Sequence, residues 1–132
     1  MTATVGKPAA KKGDTVTAND LHLIQPPGTA PPTSIQHPFK AKISGNLSAN
    51  VNIMGKPAAT LNSTATNIPA HLPIGGTFVK PPANRGSIVA GSATVFINGK
   101  PAARSGDTAL TCNDPIDLPV GKVIAKGTVF IG

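Results

Sequence analysis

Apolar residues recur at every second position in several short runs of the chain. In "TVFIN" (Thr94 to Asn98), Val95 and Ile97 fall on one face and Phe96 on the other, and "NVNIM" (Asn50 to Met54) sets Val51 and Ile53 in the same places. A period of two is the signature of a half-buried strand. Each run closes a longer unit that reads as short strand, turn, short strand: "AKISGNLSANVNIM" (Ala41 to Met54), "GSIVAGSATVFIN" (Gly86 to Asn98) and "GKVIAKGTVFIG" (Gly121 to Gly132). The pattern predicts an all-β, loop-rich fold of short β-hairpins with little or no helix.

Two of these hairpins run into GKPAA, a pentapeptide that also occurs near the start of the chain. Its opening glycines, Gly6, Gly55 and Gly99, stand 49 and 44 residues apart, a spacing suited to one supersecondary unit per repeat. Proline pushes the residue before it (Lys7, Lys56, Lys100) into an extended conformation, and the alanine pair lets backbones approach closely. Copies one and three continue into "KKGDT" and "RSGDT", where Gly13-Asp14 and Gly106-Asp107 predict a second turn with the aspartate accepting local N–H bonds. Copy two has "TLNST": either its turn has decayed, or Asn62 does the work of the Gly-Asp pair.

The last hairpin lacks a GKPAA after it, and the first GKPAA lacks a hairpin before it. A circular arrangement accounts for both, with strand 128–132 closing on the N-terminal repeat. The expectation is a single domain, 1–132, of three repeats at about 1–40, 41–82 and 83–132, arranged as a compact pseudo-threefold unit. A propeller needs four or more blades.

Composition narrows what such a unit can do. Fourteen Gly and fourteen Pro, with four Phe and no Trp or Tyr, leave a thin core. The formal charge is +7, yet the basic residues are dispersed, with two arginines (Arg85 and Arg104) and no aromatic pair of the RNA-binding kind; no nucleic acid partner is expected. No secretory signal opens the chain, so synthesis in the cytoplasm is expected, with any export riding on another component. Glu is absent, and the one close acidic pair is Asp114 and Asp117, so catalysis is not expected. With a single cysteine the core cannot hold an internal disulfide, and packing, a metal or a partner must pin it.

His22, His37, His71 and Cys112 are the only histidines and the only cysteine. His22 and His71 each lie sixteen residues after their repeat opener, Cys112 thirteen after Gly99, and His37 falls in the segment after the first repeat. Pseudo-threefold rotation would bring His22, His71 and the Cys112 loop together; no repeat position predicts His37. Three imidazoles and a thiolate make a complete tetrahedral zinc set, which leaves no open position and is therefore structural. The plainer alternative is a small buried thiol and scattered surface histidines.

Three copies of GKPAA, with "GKPAARSGDTA" the fullest, together with the terminal "TVFIG", resemble the PAAR-repeat proteins that tip the spikes of contractile injection systems, such as type VI secretion or phage-tail-like particles. The resemblance implies a conical domain whose base caps a trimeric VgrG-type spike, one chain per trimer, and whose point holds one zinc through histidines and a cysteine, here His22, His37, His71 and Cys112. It also implies a chain that is a monomer when alone, piercing of a target membrane that is contacted mechanically, release with the injection particle and possible carriage of an effector. Two departures are the altered second copy and the segment Gln25 to Lys40, expected to form a loop-rich flank. The rival reading is a stand-alone β-rich adhesin or binding module with a structural zinc. Such a module would show an aromatic platform, whereas Phe39 and Phe78 are expected to pack under loops.

Overall fold

The computed structural model describes residues 6–132. Among them are thirteen strands and no helix: β1 (Lys7–Pro8), β2 (Thr15–Gln25), β3 (Thr33–Gly45), β4 (Asn52–Ile53), β5 (Lys56–Pro57), β6 (Thr64–Asn67), β7 (Thr77–Phe78), β8 (Arg85–Ile88), β9 (Phe96–Ile97), β10 (Lys100–Pro101), β11 (Thr108–Thr111), β12 (Leu118–Ile124) and β13 (Phe130–Ile131). The all-β, loop-rich expectation holds.

β2, β3, β6, β8, β11 and β12 follow one another in a sheet that closes through a β12–β2 pairing, with β7 attached to the far end of β2. Closure removes the open edges that a small sheet would otherwise present. Alternation fills the interior: Val16 and Ile24 from β2, Phe39, Ala41 and Ile43 from β3, Ala65, Ile88, Ala109 and Val123 from the others are all buried.

The segment Gln25 to Lys40 is not the loop that its prolines suggested. From Thr33 onward it is strand, and β2 and β3 form the longest ladder of the molecule, from Thr15↔Lys42 to Ile24↔Thr33. His37, Phe39, Ala41 and Ile43 point inward while Gln36, Lys40 and Lys42 point out. Pro38 is tolerated because β3 begins to pair with β6 only at Ala41↔Asn67, so it interrupts no ladder there.

At one end of the barrel the three GKPAA copies close a ring around a pseudo-threefold axis. The Ala10 N–H donates to the Ala103 carbonyl (2.9 Å), Ala103 to Ala59 (3.1 Å) and Ala59 back to Ala10 (3.0 Å). A second ring repeats the pattern: Lys12 to Pro57, Leu61 to Pro101 and Ser105 to Pro8, each 2.9 Å. Ala9, Ala58 and Ala102, like their neighbours Ala10, Ala59 and Ala103, are buried, and a larger side chain there would force the strands apart. The turn that follows is preserved in all three copies. Asp14 accepts the Lys11 N–H at 3.0 Å and Asp107 the Arg104 N–H at 2.7 Å, while in copy two Ser63 Oγ accepts the Thr60 N–H at 2.9 Å. Asn62, at φ +73°, takes the left-handed position held by Gly13 and Gly106. Asn tolerates that region better than other side chains, so the altered copy keeps the turn.

Each ring position carries a two-stranded ribbon. β4 pairs with β5 (Ile53↔Lys56), β9 with β10 (Ile97↔Lys100), and β13 with β1 (Ile131↔Lys7). Ile53, Ile97 and Ile131 are buried, whereas Phe96 and Phe130 face solvent.

Candidate metal centre

The polar interior lies toward the opposite end of the barrel. β2 is long enough to carry the chain there: His22 stands about 23 Å from Thr15 at the rise of a strand. On its inward face β2 places Asp20 and His22 two residues apart, and β3 sets His37 directly opposite Asp20. β11 ends at Thr111, and Cys112 and Asn113 follow it directly; all three are buried. His71 comes from the loop after β6 and is fixed by its backbone N–H, which donates to Asn84 Oδ1 at 2.7 Å.

These elements bring the three imidazoles together, with ring centroids 5.0 Å apart for His22 and His71, 5.5 Å for His22 and His37, and 5.7 Å for His37 and His71. Cys112 Sγ lies 3.8 Å from His22 Nε2 and 3.5 Å from Asp20 Oδ2, and Asp20 Oδ2 lies 3.0 Å from His71 Nε2. Donor atoms from Asp20, His22, His71 and Cys112 all fall within 4.8 Å of one another. His37 borders this set: its Nδ1 is 2.9 Å from the Ile35 carbonyl, and its Nε2 accepts the Ile74 N–H at 3.3 Å. That pair of partners fixes the proton on Nδ1 and leaves the lone pair on Nε2. Phe78, on β7, packs against His22 and His37, and the buried Phe39, on β3, packs against His71.

Asp20 is the participant that sequence reasoning missed. Thr111 Oγ1 donates to its Oδ1, and Asn113 Nδ2 lies 3.4 Å from the same oxygen. The available signal was the spacing D-x-H within an alternating run, which puts two donors on one face of a strand. Asn113 also ties its loop to β2 through the Leu21 N–H (2.7 Å), and Asp114 Oδ2 accepts the Leu23 N–H at 2.8 Å.

Electrostatics without a cation favour neutral donors. Burial, followed by the charge of Asp20, pushes the Cys112 thiol up to about 11, and burial holds His22 below the usual imidazole range against the pull of Asp114. A divalent cation would reverse the first effect by drawing out the thiolate. The donors suit such an ion: imidazole nitrogen and thiolate sulfur are the ligands of structural zinc. His22 Nδ1 is also buried without a hydrogen-bond partner, since Asp114 Oδ2 at 3.4 Å is poorly aligned. An unsatisfied buried nitrogen costs roughly 1–3 kcal/mol, which a small shift of the ring toward Asp114 would recover.

A protein-family model described as the PAAR motif matches residues 28–117 and, in a second overlapping match, 80–132. No curated protein matches the chain.

Proposed function

Because the chain belongs to the PAAR-motif family, we propose that it is a non-enzymatic, metal-stabilised tip that caps a trimeric VgrG-type spike of a contractile injection machine. The observation that carries this reading is the backbone ring of Ala10, Ala59 and Ala103. It lets one chain present three like edges to three identical chains. The exposed ribbon ends β4–β5, β9–β10 and β13–β1 supply the unpaired backbone that a blunt β-helix end can continue.

The metal belongs at the other end, and we assign it as one zinc. His22, His71 and Cys112 hold it, with His37 as the fourth ligand: its Nε2 carries no proton and would exchange the Ile74 N–H for the ion, whereas the Asp20 carboxylate is held by Thr111, Asn113 and His71. Such an ion contributes on the order of 10 kcal/mol to folding, large beside what a small alanine-rich core supplies. The burial of all three histidines supports a non-catalytic role. Synthesis in the cytoplasm and release as part of the particle complete the reading, as does piercing of a target membrane.

Native mass measurement of the chain mixed with a trimeric VgrG-type spike tests the capping role. One chain per trimer, and a monomer when alone, are expected. Three chains per trimer, or a stable homotrimer without the partner, overturns the proposal.

A further inference from the structure

The exposed aliphatic side chains are not scattered. Apart from those on, or directly beside, the ring ribbons and barrel strands, five stand on the loops around the metal centre: Ile68 (72 % exposed), Leu72 (77 %), Ile74 (47 %), Val79 (51 %) and Ile116 (66 %). The backbones beneath them are tied to the centre. Leu72 follows His71, the Ile74 N–H donates to His37 Nε2, the Val79 N–H donates to the Leu23 carbonyl beside His22, and Ile116 lies four residues after Cys112. With the backbone fixed inward, these side chains are held outward. One exposed leucine is ordinary, but five aliphatics at one end of a small domain form a patch that calls for a partner.

The charges around the patch identify that partner's chemistry. Lys40 lines the same concavity as Ile68, Leu72 and Ile74, and the exposed Lys80 follows Val79 directly. Of the two acids on the loop of Ile116, Asp117 is exposed while the Asp114 side chain is 4 % exposed and turned toward His22. Aliphatic side chains flanked by lysines match the boundary between anionic headgroups and acyl chains. We propose that this end of the molecule seats its aliphatic collar in the interface of an anionic bilayer, so that contact with the membrane is chemical as well as mechanical. The inference rests on the spike-tip reading for how the collar reaches a membrane, but the lipid contact belongs to the chain alone.

Sedimentation of the purified chain with phosphatidylcholine vesicles, with and without about a third phosphatidylglycerol, tests it without any spike protein. The chain should sediment with the phosphatidylglycerol vesicles and much less with pure phosphatidylcholine. The double variant Ile68→Ser/Leu72→Ser should lower the bound fraction at least about fivefold. Phe96→Ser, at the ring end, should leave it unchanged. Circular dichroism and metal content matching the wild type establish that the variants are folded. No sedimentation of the wild type overturns the proposal and points the collar to a protein partner instead. Undiminished binding of the double variant also overturns it, because lysines alone would then suffice, as does equal loss in Phe96→Ser. Failure of spike capping would leave these vesicle results untouched, so the two ideas fail separately.

Discussion

Two side chains compete for one place beside His22, His71 and Cys112, and cobalt can tell them apart. Cobalt(II) occupies tetrahedral zinc sites and reports its ligands through visible absorption, including a thiolate charge-transfer band. If His37 is a ligand, His37→Ala should shift the ligand-field bands and weaken binding, whereas Asp20→Asn should keep the band positions and lower affinity by about 10–100-fold, as expected for a residue that positions ligands. A spectrum that moves with Asp20→Asn and not with His37→Ala would give the fourth position to the carboxylate. Cys112→Ser should abolish the charge-transfer band. How far the site was legible follows from residue type. Histidine and cysteine are rare here, and His22 and His71 share a repeat offset, so they stood out, and the structure places the donor atoms of His22, His71 and Cys112 in one cluster. Asp20 did not stand out, because aspartates also serve the turns at Asp14 and Asp107. Only the inward alternation of β2 separates its role from theirs.

At the level of elements, the two-residue strand β13 has consequences larger than its size. It buries Ile131, the carbonyl of Val129 just before it accepts the Ala9 N–H at 2.9 Å, and the carbonyl of Gly132 just after it accepts the Ser92 hydroxyl. Deleting Thr128 to Gly132 should therefore cost about 3–5 kcal/mol, combining one buried isoleucine with the lost hydrogen bonds, although terminal residues are ordinarily dispensable. Urea unfolding of the metal-free proteins checks this, and an unchanged midpoint would mean that the strand is a loose tail. Repetition made the ribbons easy to read in the sequence, since Val-x-Ile precedes each turn or chain end. β3 was hidden by the prolines on its flank and at Pro38. Its alternation of Ile35, His37, Phe39, Ala41 and Ile43 was present in the sequence, but a proline is compatible with a strand only where a neighbour is missing, and that is a fact of the sheet rather than of the segment.

For the whole molecule, the register of the three ribbons is the same to the residue. Ile53 and Lys56 flank Met54-Gly55, and Ile97 and Lys100 flank Asn98-Gly99, with all four of the intervening residues at positive φ, the conformation of a type I′ turn. Ile131 and Lys7 face each other in the same way, with Gly132 and Gly6 standing where those turns have their two central residues. A rearranged gene that joins Gly132 to Gly6 and opens the chain between Met54 and Gly55 should thus yield a cooperatively folding protein with the same metal content. A permuted chain that stays unfolded in the presence of zinc would show that the ring tolerates only one order of assembly. If it folds, the position of the seam is arbitrary: the ring has three interchangeable corners, and a passenger polypeptide could be grafted at any of them without disturbing the other two.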